Sequence, residues 1–149
     1  MAKIVEKKIR KLPETRKFGY QIFVSHATAD KWIAKVICNK IEEKGALTFI
    51  DDRDIHGGDD IPEEIHKQIK RSRELVVLLT PTSYNRDWVR LEVGAAWAWK
   101  KRIVAILCHV GIDLIPEIIK SKKAISINEI DNYLNEISTR VNKTKNVKK

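Results

Sequence analysis

The apolar positions of this chain change period as they run along it. "YQIFVS", residues 20–25, is a short apolar and β-branched run of strand length. From about residue 29 to 44 the spacing becomes helical, with Trp32, Ile33, Val36, Ile37 and Ile41 on one face and Gly45 as the stop. "ALTFI" (46–50) predicts a second short strand, and an Asp- and Gly-rich loop runs from Asp51 to Asp60. Pro62 stands where a helix begins, and Ile61, Ile65 and Ile69 repeat every four residues. "LVVLLT" (75–80) is continuously apolar, as expected of a strand covered on both faces. "DWVRLEVGAAWAW" (87–99) predicts a helix, "RIVAILC" (102–108) a fourth strand and, after an irregular stretch, "AISI" (124–127) a fifth. Tyr133, Leu134, Ile137 and Val141 line a final amphipathic helix.

Strands that alternate with helices call for a parallel sheet covered on both faces. The expected architecture is α/β, a flavodoxin-like three-layer sandwich with a five-stranded parallel sheet in the order 2-1-3-4-5. Its ligand crevice then lies at the carboxyl ends of strands 1 and 3, where the strand order reverses. Ser25, His26 and Ala27 follow strand 1, and Thr80, Pro81, Thr82 and Ser83 follow strand 3.

One residue breaks the pattern. Glu92 falls in the middle of the apolar face formed by Trp88, Val89, Ala95, Ala96 and Trp99. Its helical neighbours at i±3 and i±4 include no Lys or Arg that could pair with it. One reading is an exposed position on a helix that is apolar nearly all round. The other is a buried carboxylate lining the crevice, where burial without a donor or ligand costs several kcal/mol (roughly 2–7).

Charge changes the picture less than its total suggests. The 149-residue chain carries a formal charge of +9. Residues 1–17 hold seven Lys/Arg against two Glu, and residues 140–149 hold five Lys/Arg and no acid. That leaves 17 basic and 18 acidic residues between them, so the folded part is nearly neutral. The expected organisation is a basic N-terminal extension (1–17), one domain (18–139) and a basic C-terminal tail (140–149). Basic tails are a weaker nucleic-acid footprint than a basic face, so nucleic acid is not the expected partner. No apolar run approaches the ~18 residues of a membrane span. The N-terminus lacks the apolar core of a secretory signal. Cys38 and Cys108 lie in apolar segments and read as buried thiols of a reducing compartment, so a cytoplasmic location is expected.

Other chemistries fit poorly. Asp52, Asp54, Gly57 and Glu63 match four positions of a calcium loop, but His56 stands where an oxygen ligand belongs and a strand precedes the loop. Gly57 and Gly58 lack the GxxxxGK of a phosphate cradle, and the flanking Asp residues repel phosphate. His26, His56, His66 and His109 show no zinc-ligand spacing, so no metal is expected. A phosphoacceptor receiver needs an Asp after strand 3, where this chain has Thr80.

"YQIFVSHATAD", "DDRDIHGGDDI" and "LLTPTSYNRDWVRLEVGAAW" together resemble the three boxes of the Toll/interleukin receptor (TIR) domain in its bacterial form. The resemblance covers roughly residues 18–139 and is closest to short standalone, NAD-cleaving members of Thoeris-like antiphage defence. Thr80 stands where Ser is usual, and Val89 where Cys is common. The resemblance implies NAD+ as substrate rather than cofactor, with no cofactor of the protein's own, and Glu92, the Glu of WxxxE, as the catalytic residue. It places Trp88, Ser25, His26, Ala27 and Thr80 around the substrate. It makes the BB loop, with Asp54, Ile55, His56, Gly57 and Gly58, the self-association element. It further implies a separate effector protein that responds to an ADP-ribose-derived product. Two alternatives stay open: a TIR module that only scaffolds, and an enzyme like the nucleoside deoxyribosyltransferases.

Overall fold

The computed structural model describes residues 19–50, 62–119 and 124–147. Five strands form one parallel sheet: β1 (Gln21–Ser25), β2 (Leu47–Ile50), β3 (Glu74–Leu79), β4 (Arg102–Leu107) and β5 (Ala124–Ser126). Their spatial order is β2-β1-β3-β4-β5, as expected from the sequence. Four α-helices accompany them: α1 (Lys31–Glu43), α2 (Glu63–Arg71), α3 (Asp87–Ala98) and α4 (Ile130–Val147). The sheet is flavodoxin-like. Between β4 and β5 the described chain makes two 3-10 turns, Ile112–Leu114 and Glu117–Ile119, in place of an α-helix.

Strand alternation divides the core into two layers. Ile22, Val24, Val76, Leu78, Val104 and Ile106 face α1 and α4, where they pack with Ile37, Ile41, Tyr133, Leu134, Ile137 and Val141. Phe23, Leu75, Val77, Leu79, Ile103 and Ala105 face α2 and α3, where they meet Ile65, Ile69, Trp88, Val89, Val93 and Ala96. The whole of β3 is buried, which explains its unbroken apolar run. Gly45 ends α1 at φ +94°, a left-handed backbone that side chains disfavour.

One expectation changes. Trp32 is 77% exposed. The buried stripe of α1 is Ala34, Ile37, Cys38 and Ile41, and Trp32 lies two residues, about 200° of helical rotation, before Ala34. The final helix runs without interruption past residue 140, and Val141 is buried, in keeping with its place on the expected amphipathic face. Residues 1–17 and the loop carrying Asp54, Ile55, His56, Gly57 and Gly58 lie outside the described residues. Among the described residues no helix is long and apolar enough to cross a membrane.

A polar cluster that the sequence did not reveal sits at the amino end of β3. Glu74 is fully buried and receives two hydrogen bonds from Arg140, Nε to Oε2 at 2.7 Å and Nη2 to Oε1 at 3.0 Å. The Tyr133 hydroxyl donates to Oε1 at 3.0 Å, and the Tyr20 hydroxyl donates to Oε2. Burial, reinforced by the Glu74 carboxylate, pushes both phenols above their ordinary range. The cluster fastens α4 to the sheet.

Candidate active site

The carboxyl end of the sheet gathers the residues expected to carry chemistry. β1 pairs with β3 so that Ser25 stands opposite Val77, next to the place where α3 crosses the sheet. Phe23 faces α3, so alternation turns Ser25 to the same side. Its Oγ donates to Glu92 Oε1 at 2.7 Å. Glu92 is 1% exposed and Ser25 equally buried. The carboxylate in the apolar face is therefore a buried one, and it accepts a hydrogen bond from a hydroxyl 67 residues away in sequence.

Trp88 precedes Glu92 by one helical turn and is 7% exposed. Its indole Nε1 is buried and makes no hydrogen bond among the described residues. The indole supplies an apolar wall on the helix face that carries the carboxylate, and a low-dielectric setting strengthens any interaction of Glu92 with positive charge. His26 and Ala27, which continue from Ser25, are buried as well. The Ala27 carbonyl accepts the Asp30 N–H at 2.9 Å and closes a tight turn before α1.

Thr80 is placed differently. Val76 and Leu78 face α1 and α4, and alternation carries Thr80 to that same side, away from Ser25 and Glu92. There its Oγ1 donates to Asp30 Oδ2 at 2.5 Å, and the Thr82 hydroxyl donates to the same oxygen at 2.8 Å. The structure thus brings Ser25, Trp88 and Glu92 together on one face and ties Thr80 to Asp30 on the other. Asp30 was not legible as a site residue. Standing just before a helix, it reads as an ordinary N-cap, and nothing local points across 50 residues to Thr80.

A family model described as the TIR domain matches residues 22–139. The chain is 25% identical over 129 residues to "NAD(+) hydrolase TcpA" of Theionarchaea archaeon (strain DG-70-1), a match that covers 80% of this chain and 39% of that protein. It is 33% identical over 85 residues to Toll-like receptor 13 of Mus musculus, covering 54% of this chain and 9% of the receptor. The chain thus spans well under half the length of either relative. Among solved structures, the TIR domain of the Toll-related receptor TRR-2 from Hydra magnipapillata superposes with a TM-score of 0.57 at 20% identity, covering 87% of this chain and 99% of that one. A TIR-STING receptor from C. gigas gives 0.61 at 20% identity, covering 89% and 43%. Likeness at that identity speaks for the fold, and the family model speaks for descent across most of the chain. With the family model matched over residues 22–139, well over half of its length, the chain belongs to the TIR domain family.

Proposed function

We propose that this TIR domain cleaves the nicotinamide–ribose bond of NAD+. The observation that carries the reading is the Glu92 carboxylate, 1% exposed and hydrogen-bonded by Ser25 at 2.7 Å, on the helix face that also carries Trp88. A module that only scaffolds has no use for a buried carboxylate, whose desolvation disfavours folding. The archaeal relative named as an NAD(+) hydrolase supports the choice of substrate.

The chemistry suits the residue. Nicotinamide departs from a cationic pyridinium and takes the C–N electron pair with it as a neutral molecule, so no general acid is needed. The barrier lies in the electron-poor, oxocarbenium-like ribose that remains. Glu92, held in place by Ser25 and screened from water by Trp88, stabilises that positive charge more strongly than a solvated carboxylate would. Water then attacks the ribose carbon and loses a proton, giving ADP-ribose. An internal adenine or ribose atom gives a cyclic isomer, and another nucleophile gives a conjugate. His26 and Ala27 continue from Ser25 into the crevice and border the nicotinamide-ribose side. In this reading the product is a cytoplasmic antiphage signal that a separate effector protein receives.

The test is chromatography of NAD+ incubated with concentrated protein, with free deoxynucleosides as a parallel substrate. Release of nicotinamide with an ADP-ribose-derived product is the expected result. Intact NAD+ at high protein concentration would overturn the reading, and base release from deoxynucleosides alone would move the protein to deoxyribosyl transfer.

A further inference from the structure

Asp30 occupies the N-cap position of α1, yet its side chain makes no capping hydrogen bond to its own helix. An Asp there ordinarily accepts from the first free N–H groups of the helix it precedes. This one is turned to another loop instead. Its Oδ2 accepts from Thr80 Oγ1 and Thr82 Oγ1. Hydrogen bonds to an ionised acceptor are the short, strong kind. Burial, with the Asp30 charge as second cause, pushes the Cys108 thiol up.

The loop that Asp30 holds is itself rigid. Ser83 Oγ accepts the Thr80 N–H at 2.8 Å and donates to the Leu78 carbonyl at 2.7 Å. The Ser83 N–H donates to Thr80 Oγ1 at 3.2 Å, and Arg86 Nε donates to the Thr82 carbonyl at 3.0 Å. α3 begins at Asp87, directly after this turn, and carries Trp88 and Glu92. Asp30 therefore joins two connections at the carboxyl end of the sheet: the one that follows Ser25 and the one that launches the helix of Glu92. A rigid turn clamped at its base fixes where the helix starts, and with it the placement of the Glu92 carboxylate.

We propose that Asp30 is a positioning residue for the reaction at Glu92, acting through the turn from Thr80 to Arg86. This rests on the NAD-cleaving reading above. A group held about 1 Å out of place can cost on the order of 10²-fold in rate while leaving substrate affinity nearly intact. Asp30→Ala is expected to lower kcat by roughly 10- to 100-fold with KM within about 3-fold. Asp30→Asn keeps an oxygen that accepts from both hydroxyls and is expected to restore most of the lost kcat. Thr82→Val removes one donor at an exposed position, where folding is not at stake, and is expected to lower kcat several-fold. The Trp88 indole N–H resonance, followed by NMR in the intact chain, should shift in Asp30→Ala and return towards its normal position in Asp30→Asn.

Unchanged kcat in both Asp30→Ala and Thr82→Val overturns the proposal, as does an unshifted Trp88 resonance. An Asp30→Asn variant as impaired as Asp30→Ala overturns it too, because the charge itself would then be acting on substrate. A KM effect larger than the kcat effect has the same consequence. A wild-type chain inactive on NAD+ is a separate outcome: it removes the functional reading, and the positioning role falls with it.

Discussion

Glu92 was conspicuous in the sequence because its helical neighbours are apolar, but its partner was not. A hydrogen bond between Ser25 and Glu92 depends on where α3 crosses β1, and no local pattern encodes that crossing. The same limit explains Thr80. Its place after strand 3 was legible, while its direction follows from the residue-by-residue alternation of β3, which turns it towards Asp30. Glu92→Gln keeps size and removes charge. It is expected to reduce NAD+ turnover by at least ~10²-fold with little change in melting temperature. Ser25→Ala should leave the carboxylate in place but less firmly oriented, and so give a smaller loss. Quantification of released nicotinamide alongside thermal melting checks both, and near-normal turnover in Glu92→Gln would remove its catalytic assignment.

The helices and strands themselves were largely legible. Periodicity located the five strands and four α-helices of the described chain, because each buries a face of its own, but it did not reveal the 3-10 turns or the last turns of α4 beyond Val141. Two element-scale details lay beyond the reach of periodicity. The stripe read on α1 holds at Ile37 and Ile41, with Ile33 packed against the same core, but the buried face is rotated towards Ala34 and Cys38 and leaves Trp32 exposed. The Arg140 guanidinium, one of the cluster of basic residues at the end of the chain, binds the buried Glu74 carboxylate through two hydrogen bonds, a pairing no local pattern shows. Arg140→Met should cost about 3 kcal/mol or more, since it leaves a buried carboxylate without its countercharge. Denaturant melts would show this as a lower midpoint. The two phenols of the same cluster give a pH dependence. Both have folded-state pKa values above the unfolded value near 10, so their contribution to stability is complete below pH ~10 and is lost as pH rises towards the folded values. Stability curves should therefore fall on the alkaline side, and the fall should be shallower in Tyr20→Phe. A pH-independent difference between the two proteins would contradict that assignment.

At the scale of the whole molecule, the nearly complete burial of Glu92 has a kinetic consequence under the proposed function. A ribose reaches the carboxylate only if side chains packed around it shift, and association between copies is the trigger proposed for that shift. The loop from Arg53 to Asp60 is the element proposed for that contact. Five Asp residues (51, 52, 54, 59 and 60) oppose pairing of identical loops, so a head-to-tail contact with a more basic surface is expected. Specific activity should rise with protein concentration, and Ile55→Asp or Gly57→Pro should depress it without unfolding the domain. Activity strictly proportional to enzyme concentration and indifferent to both substitutions would mean that a single copy holds a complete site.

β3 has a polar residue at each end of one face, Glu74 at its start and Thr80 just beyond its finish, with apolar residues filling the span between. Six steps along a strand separate the two by roughly 20 Å, well past the distance at which substitutions usually influence one another. The anchoring cluster and the crevice should thus be thermodynamically independent. A chain carrying both Tyr20→Phe and Glu92→Gln is expected to show the melting shift of the first and the turnover of the second, each unaltered by its companion. The sheet then works as an insulator: drift in the residues that hold the last helix can proceed without being felt at its carboxyl edge, and that edge can change without loosening the base.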